Sequence, residues 1–360
     1  MKAVVLVGGE GTRLRPLTYT TPKQLLPVVE VPMLERVVSA LASHGVDEAV
    51  LSIGYRPDAF LAAYPEGTVA GIRLSYAVEP EPLDTAGAIR FAAEQAEVQE
   101  TFLVVNGDVL SDLDVSALVS LHRRRGALAT IALTPVEDPS RFGVVVTNEE
   151  GGVESFVEKP PPGRSPSNEI NAGTYVFEPE VVAGIPGGRR VSVERETFPA
   201  LAAEGTLYAL CSDAYWLDTG TPEAYLRANA DLLDGTRAGP PAPGAQEVAA
   251  GVWTMEEATI EGTVRAPSLV GAGAVVETGA EVVGTVVGAG GRVAAGARVG
   301  RSVLLPGALV ERDATVRGSV LGHRARVGAG AVLDPLTVVG DGTEIDAGSR
   351  LAGARVPAVA

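Results

Sequence analysis

Short apolar runs alternate with helical patterns along residues 1–234, which is typical of repeated β-α units. Short apolar runs predict strands at Ala3–Val7, Ala49–Ile53, Phe102–Val105 and Ala129–Leu133. The helical spacing of apolar residues predicts helices at Met33–His44 and Leu113–Arg125. Because runs that are apolar throughout suit strands buried on both faces, the predicted fold class is α/β with a mixed, mostly parallel sheet.

The pattern changes after residues 235–250, a proline- and glycine-rich stretch typical of a linker. From there, aliphatic residues recur every six positions, with three steps of five, and small residues fill much of the space between them. The recurring positions are Val270, Val276, Val282, Val287, Val293, Val299, Leu305, Val310, Val316, Leu321, Val327, Leu333, Val339, Ile345 and Leu351. This period predicts a parallel β-helix and resembles the left-handed hexapeptide-repeat helix. The alternative is a disordered Gly/Ala-rich tail, but such tails usually lack this apolar content.

The sequence therefore predicts a first domain at residues 1–234, a linker at 235–250 and a β-helix domain at 251–360. The formal net charge of −16 argues against nucleic acid as a partner, so local cations must attract any phosphorylated ligand. The single cysteine, Cys211, excludes an internal disulfide and favours a reducing, cytoplasmic location. No run of about 18 apolar residues suits a transmembrane helix, so no membrane partner is expected. The apolar run at the start is too short for a signal peptide.

The most informative stretch, Gly8–Thr18, directly follows the first predicted strand. Its glycines can bring backbone N–H groups close to a phosphate, and Arg13 adds a permanent positive charge. A polyphosphate is therefore expected at the carboxyl end of the first strand. The dinucleotide fingerprint is excluded because Leu14 stands where its third glycine belongs, counting from Gly9. The Gly-Lys-Ser/Thr string of the ATPase loop does not follow either.

Gly8–Thr18 resembles the signature of the sugar-phosphate nucleotidyltransferases. These enzymes join a nucleoside triphosphate to a sugar 1-phosphate and release pyrophosphate. Further family motifs follow in the family order and cover the whole first domain, which implies a Rossmann-like fold of the nucleotide-diphospho-sugar transferase type. The resemblance implies that the first segment binds the nucleotide through Leu6, Gly8, Gly9, Gly11, Thr12 and Arg13.

Two lysines lie in further matching motifs. Thr21–Val28 resembles the second family motif, whose lysine reaches the triphosphate, and Lys23 is a mobile point cation that can follow shifting charge. Val157–Pro160 also matches a family motif. By this resemblance, Lys159 holds the phosphate of the sugar 1-phosphate, and Glu158 accepts hydrogen bonds from sugar hydroxyls. Arg13, Lys23 and Lys159 are the expected catalytic residues.

Two aspartates are expected at strand ends. Asp108 follows the predicted strand Phe102–Val105, and a carboxylate at the carboxyl end of a central parallel strand points into the ligand crevice. Asp218 lies in Tyr215–Thr221, which resembles the late strand-end motif of the family. The resemblance implies that both aspartates hold Mg²⁺, whose shell phosphate oxygens and water complete.

Sugar recognition is expected at two further motifs. Arg141–Val145 supplies a family feature in which backbone groups of Gly143 face the sugar. Ile170–Phe177 contains Asn171, whose amide can both donate and accept, as a hydroxyl-rich sugar requires.

The segment Glu79–Gly87 aligns with the family segment that reads the base, and Thr85 and Gly87 are further expected nucleotide contacts. A glutamate at position 79 offers only acceptors, which suit the N1–H and N2–H₂ donors of guanine better than thymine or uracil. The sequence departs from the family at Asp84, where guanylyltransferases of this type usually have glycine. A side chain there could crowd the base or add an acceptor for guanine.

The expected reaction is guanylyl transfer from GTP to mannose 1-phosphate, giving GDP-mannose and pyrophosphate. Two alternatives stay open: the same reaction with dTTP or UTP and glucose 1-phosphate, and a regulatory subunit that binds a sugar nucleotide without turnover. The β-helix is expected to assemble the chain as a homo-oligomer, at least a dimer. A second, acyltransferase activity there would need a base such as histidine, and His323 is the only histidine of that domain.

Overall fold

The computed structural model describes residues 1–237 and 240–359. These residues form two compact units that interleave along the sequence: unit 1 comprises Met1–Gly9 and Leu34–Leu217, and unit 2 comprises Glu10–Met33 and Asp218–Ala360. The segment that carries Arg13 and Lys23 therefore packs in the same unit as the C-terminal repeats. The predicted domain boundaries at 234/235 and 250/251 stay predictions, and residues 238, 239 and 360 lie outside the described residues.

The first part of the chain alternates strands and helices. Its strands are β1 (Lys2–Leu6), β2 (Pro27–Val28), β3 (Val31–Pro32), β4 (Glu48–Ile53), β5 (Thr68–Val69), β6 (Ile72–Val78), β7 (Phe102–Asn106), β8 (Val109–Ser111), β9 (Ala129–Pro135), β10 (Gly143–Thr147), β11 (Val153–Glu158), β12 (Glu169–Phe177), β13 (Leu207–Cys211) and β14 (Trp216–Asp218). Its helices are α1 (Met33–Ala42), α2 (Pro57–Ala63), α3 (Asp84–Gln95), α4 (Val115–Arg125), α5 (Pro179–Gly184), α6 (Phe198–Ala203) and α7 (Pro222–Leu233).

The main sheet of unit 1 has the strand order β11-β10-β12-β7-β1-β4-β6-β5, and β9 joins it beside β12. Strand β1 lies between β4 and β7 and is parallel to both, whereas β12 is antiparallel to β7, β9 and β10. The predicted α/β fold with a mixed sheet is confirmed. Aromatic side chains fill its core, where Tyr175, Phe177 and Phe198 contact one another.

The predicted strands are all present, and the predicted helices differ only at their ends. The helix predicted from Leu113 begins at Val115 because the Asp114 side chain accepts a hydrogen bond from Ala117 N at 3.0 Å and caps the helix there. The helix predicted to end at His44 ends at Ala42. Among the described residues, no helix combines the length and the apolar character needed to cross a membrane.

The C-terminal part of unit 2 consists of short strands. They are β15 (Gln246–Ala249), β16 (Val252–Thr254), β17 (Thr259–Ile260), β18 (Thr263–Arg265), β19 (Ser268–Val270), β20 (Val275–Val276), β21 (Glu281–Val283), β22 (Val286–Val287), β23 (Arg292–Val293), β24 (Arg298–Gly300), β25 (Val303–Leu304), β26 (Leu309–Val310), β27 (Thr315–Arg317), β28 (Val320–Leu321), β29 (Arg326–Val327), β30 (Val332–Asp334), β31 (Val338–Val339), β32 (Glu344–Ile345), β33 (Arg350–Ala352) and β34 (Arg355–Val356). Every third strand from β16 to β34 pairs in parallel, so the chain winds as the predicted β-helix.

The β-helix register corrects one position of the aliphatic ladder. Val287 pairs with Leu304, and Leu304 pairs with Leu321, so Leu304 and not Leu305 occupies the interior layer. Both residues are adjacent leucines, so spacing alone did not separate them, and both are buried. With Leu304 in the interior layer, the three steps of five all fall on the same side of successive coils. That side is therefore one residue shorter than the other two sides of the coil.

A ladder of hydroxyl side chains also lines the β-helix interior, and the aliphatic pattern did not predict it. Ser268, Thr285, Ser302, Ser319 and Thr337 are buried polar residues. Thr285 N donates to Ser268 Oγ at 3.2 Å, and Ser302 N donates to Thr285 Oγ1 at 3.3 Å in the next coil. These hydroxyls satisfy backbone N–H groups that the coil corners would otherwise bury without partners.

Candidate active site

The carboxyl ends of β1 and β7 bring the glycine loop and Asp108 to one edge of the unit 1 sheet. Leu6 pairs in register with Asn106, and Gly107 N donates to Leu6 O at 3.0 Å. Gly8 follows one of these strands and Asp108 follows the other, so both occupy the edge that the sequence predicted. Asp108 is half-buried there.

Close backbone approach explains two glycines at this edge. A Cβ atom on residue 8 would lie 3.2 Å from Gly54 N and 3.3 Å from Glu79 Oε1. A Cβ atom on residue 107 would lie 2.7 Å from Val7 Cγ1, a separation that real Cβ atoms do not reach. Gly107 was not among the predicted site residues. Its signal was the Asn-Gly-Asp turn directly after a buried strand.

The Glu79 carboxylate holds the chain that leads into α3. Its Oε1 accepts a hydrogen bond from Ser52 Oγ at 3.2 Å, and its Oε2 accepts one from Leu83 N at 3.1 Å. Each carboxylate oxygen can accept more than one hydrogen bond. Glu79 is therefore fixed in orientation by the protein and retains acceptor capacity for a ligand.

Asp84 begins α3 in the left-handed region of backbone conformation, with φ of 62°. Glycine adopts this conformation without strain, and aspartate tolerates it better than most residues. Asp84 Oδ1 accepts a hydrogen bond from Thr85 N at 2.8 Å. The backbone thus explains how either glycine or aspartate can occupy this position.

Thr85 joins α3 to a π-helical turn, Val193–Thr197, that the sequence analysis did not single out. Thr85 Oγ1 donates to Glu194 Oε2 at 2.8 Å and accepts a hydrogen bond from Val193 N at 2.8 Å. Gly87 follows on the buried face of α3, where its N–H donates to Val191 O at 3.2 Å. The segment expected to read the base is therefore tied to residues more than a hundred positions away.

Gly143, Glu158 and Lys159 lie together, as the sugar-phosphate prediction requires. Gly143 pairs in register with Glu158 across β10 and β11, and a Cβ atom on residue 143 would lie 2.5 Å from Phe156 Cζ. Lys159 Nζ lies 3.0 Å from Glu158 Oε1, and the lysine side chain is 61% exposed. This arrangement places an exposed cation directly beside a carboxylate acceptor.

Asn171 is positioned by the buried Tyr175. Asn171 Nδ2 donates to Tyr175 Oη at 2.9 Å, and Asn171 Oδ1 accepts a hydrogen bond from Gly173 N at 2.9 Å. Burial raises the pKa of the Tyr175 phenol, so the phenol stays protonated. Trp216 Nε1 donates to Ala172 O at 2.9 Å beside this strand. Neither Tyr175 nor Trp216 was predicted to support the sugar contacts.

In unit 2, the glycine loop continues into short 3₁₀ helices, Thr12–Leu14, Leu17–Tyr19 and Lys23–Leu25. Gly11 precedes the first of them with φ of 63°, and a Cβ atom there would lie 2.9 Å from Thr18 Cγ2 and 3.1 Å from Lys23 Cβ. Glycine at position 11 therefore lets the two predicted motifs pack directly against each other.

Arg13 and Asp218 face each other in unit 2. Arg13 Nη2 lies 3.7 Å from Asp218 Oδ2, and Asp218 Oδ1 accepts a hydrogen bond from Gly220 N at 2.8 Å. A Cβ atom on residue 220 would lie 2.5 Å from Arg13 Nη2, so any side chain at this position would displace the guanidinium from where it lies. Arg13 is 54% exposed and Asp218 is 26% exposed, which leaves both groups open to a ligand.

The predicted site residues thus fall into groups. Unit 1 brings Gly8 beside Glu79, and it brings Gly143 beside Glu158 and Lys159. Unit 2 brings Arg13 beside Asp218, and Lys23 beside Gly11. Asp108 lies in unit 1 and Asp218 in unit 2, so their shared hold on one metal ion stays a prediction.

Comparison with known proteins identifies the family. The sequence profile described as "Nucleotidyl transferase" matches residues 2–235, well over half of the chain. The chain belongs to the nucleotidyl transferase family. A second profile, described as "GMPPB C-terminal domain", matches residues 264–358 of this nucleotidyltransferase.

Curated relatives match both parts of this nucleotidyltransferase. It is 41% identical over 305 residues to a mannose-1-phosphate guanylyltransferase of Mycobacterium tuberculosis, a match that covers 84% of this chain and 79% of the relative. It is 38% identical over 312 residues to mannose-1-phosphate guanylyltransferase 1 of Arabidopsis thaliana, covering 84% of this chain and 86% of the relative.

Solved structures match the nucleotidyltransferase over 64% of its length. The crystal structure of HddC from Yersinia pseudotuberculosis has a TM-score of 0.56 and 29% sequence identity, and 99% of that chain is covered. HddC has also been crystallised in complex with GMP-PN. A putative glucose-1-phosphate thymidylyltransferase from Bacillus anthracis has a TM-score of 0.59 and 26% identity, with 94% of that chain covered.

Proposed function

We propose that this nucleotidyltransferase transfers a guanylyl group from GTP to mannose 1-phosphate and releases pyrophosphate. The observation that carries the proposal is the similarity to two relatives bearing the name mannose-1-phosphate guanylyltransferase, each matched over 84% of this chain. The single cysteine favours a cytoplasmic setting for the reaction.

The choice of guanine is supported by acceptors near the glycine loop. Glu79 approaches Gly8, and its two oxygens are oriented by Ser52 and Leu83. The remaining acceptor capacity suits the N1–H and N2–H₂ groups of guanine, which both donate. The left-handed backbone of Asp84 suits a family position that is usually glycine.

Mannose 1-phosphate would bind beside Lys159. The exposed ammonium suits the sugar phosphate, and the neighbouring Glu158 carboxylate would accept hydrogen bonds from sugar hydroxyls. Asn171, held by Tyr175 and Gly173, would add a group able to donate and accept. These residues would fix the phosphate oxygen that attacks the α-phosphorus in line.

Arg13 and Lys23 would neutralise the charge that builds up on the leaving pyrophosphate. No general base is required, because the sugar phosphate is already an anion. The carboxylates of Asp108 and Asp218 are hard oxygen donors of the kind that Mg²⁺ prefers. They would hold this ion, which when bound supplies further neutralisation of the phosphate oxygens.

Purified protein should release pyrophosphate fastest from GTP with mannose 1-phosphate. The measurement is a panel of GTP, dTTP, UTP and ATP, each with mannose 1-phosphate and with glucose 1-phosphate, in buffer containing Mg²⁺. Preference for dTTP or UTP with glucose 1-phosphate would favour the alternative reaction of the same class. Binding of GDP-mannose without turnover of any pair would instead identify a regulatory subunit.

We also propose that the chain forms a homo-oligomer through its β-helix, because a stack of coils presents flat faces and end coils to a second copy. Light scattering of the full chain should give at least twice the monomer mass of 36.9 kDa. A monomer mass at micromolar concentration would contradict this proposal.

A further inference from the structure

The last strand of the β-helix contacts residues 10–26, here called the signature loop. Arg355, in β34, donates from Nη1 to Arg13 O at 3.1 Å and to Arg15 O at 2.6 Å. These partners lie in the same compact unit although 342 residues separate Arg13 from Arg355. One guanidinium therefore holds the backbone on both sides of Leu14.

The sequence explains why the Arg13 carbonyl needs a donor from outside the loop. In the 3₁₀ helix Thr12–Leu14, Leu14 N donates to Gly11 O at 2.9 Å and Arg15 N donates to Thr12 O at 3.2 Å. The next bond of this series would run from residue 16 to Arg13 O. Residue 16 is proline, which has no backbone N–H, so the loop cannot close this turn itself. Arg355 supplies the missing donor.

Two neighbouring contacts hold the rest of the signature loop. Thr20 Oγ1 donates to Asp341 Oδ2 at 2.6 Å. A Cβ atom on residue 340 would lie 3.2 Å from Pro16 Cβ and 3.3 Å from Pro357 Cδ, so glycine at 340 allows Pro16 to approach the β-helix. The contacts of Pro16 and Thr20 thus hold the signature loop on both sides of residue 17, and both contacts are with the C-terminal coils of the β-helix.

The Asp341 carboxylate is also held in place by His323. Its Oδ1 accepts a hydrogen bond from His323 N at 2.8 Å, and the His323 ring lies 3.3 Å from the same oxygen. Burial acts to raise its pKa, but the hydrogen bonds from His323 and Thr20 keep the pKa of this carboxyl below its ordinary value. Asp341 therefore stays ionised as an acceptor for Thr20.

We propose that Arg355 is a positioning residue for nucleotidyl transfer, which acts by fixing the backbone that carries Arg13. This proposal rests on the proposed function in one respect, the role of Arg13 at the reacting phosphates. It gives the β-helix a part in the chemistry beyond assembly. A guanidinium on a loose backbone would still attract the triphosphate but would lose its alignment with the leaving group.

Arg355→Ala is expected to lower kcat about 10- to 100-fold while changing KM for GTP less than about threefold, because alignment is lost and long-range attraction is kept. Hydrogen exchange of the amides at residues 12–19, followed by mass spectrometry, should become faster in the same variant. Arg355→Lys, whose ammonium can still donate to a carbonyl, should fall between Arg355→Ala and the unmodified chain.

The matched control is Arg350→Ala, which removes an exposed arginine from the neighbouring strand β33 and should leave kcat and loop exchange unchanged. Thr20→Val tests the contact between the signature loop and the β-helix from the loop side, because it removes the hydrogen bond from Thr20 to Asp341. It should lower kcat by a smaller factor, and Arg355→Lys decides the role of Arg355 if Arg355→Ala fails to fold.

The outcomes separate this proposal from the proposed function. An active enzyme in which Arg355→Ala and Thr20→Val keep normal kcat and normal loop exchange would overturn the positioning role alone. A loss confined to KM would also overturn it. If the unmodified chain turns over no substrate pair, the proposed function fails, and the exchange of residues 12–19 still decides whether Arg355 holds the loop.

Discussion

Replacing Arg13 with alanine is expected to lower kcat about 10³-fold, equivalent to about 4 kcal/mol of transition-state stabilisation. The reason is that pyrophosphate gains negative charge as it leaves, and the Arg13 guanidinium would meet that charge. Gly220 leaves space for the guanidinium on one side, and Asp218 holds it on the other. The measurement is single-turnover and steady-state kinetics with GTP and mannose 1-phosphate.

Unfolding should not account for the Arg13→Ala loss. The Arg13–Asp218 ion pair spans 3.7 Å, and the arginine is more than half exposed, so solvent screening limits its contribution to well under about 1 kcal/mol. Thermal unfolding should therefore shift by less than about 3 °C. Arg13→Lys, which keeps the charge but not the planar fork, should recover part of the rate. A kcat within tenfold of normal in Arg13→Ala would contradict the assigned role.

The local part of this architecture could be predicted because its signals are short-range. The apolar run before Gly8 predicts the end of β1, and the Asn-Gly-Asp turn predicts the end of β7, each within a few residues. Strand pairing in a parallel sheet then brings these ends to one edge without further information. The aliphatic steps of six and five likewise indicate the coil length of the β-helix. The choice between Leu304 and Leu305 required the register of the strand pairs.

The supporting contacts could not be predicted because they join distant segments. Thr85 contacts Glu194, Trp216 donates to Ala172 O, and Arg355 donates to Arg13 O. The Thr85–Glu194 and Arg13–Arg355 pairs have no sequence spacing that a helix or a strand period would reveal. One clue was available in the Arg-x-x-Pro of the signature loop, because the proline left a carbonyl that had to find its donor elsewhere.

Asp108→Asn and Asp218→Asn are each expected to lower kcat about 10²- to 10³-fold. The kcat of the double variant should be little lower than that of the less active single variant. If both carboxylates hold one ion, removal of either weakens the same neutralisation, so the two losses do not multiply. Each variant should also require a higher Mg²⁺ concentration for half-maximal rate. Asp213→Asn, an exposed aspartate five residues before Asp218, is the matched control and should change neither quantity.

The Mg²⁺ dependence separates metal binding from a second effect of Asp218. This carboxylate also contacts Arg13 and accepts the Gly220 N–H, so its replacement could lower kcat through the guanidinium alone. In that case the half-saturating Mg²⁺ concentration would stay unchanged in Asp218→Asn and rise only in Asp108→Asn. Losses that multiply in the double variant would show that the two aspartates act independently, because shared ligands of one ion cannot each remove its whole contribution.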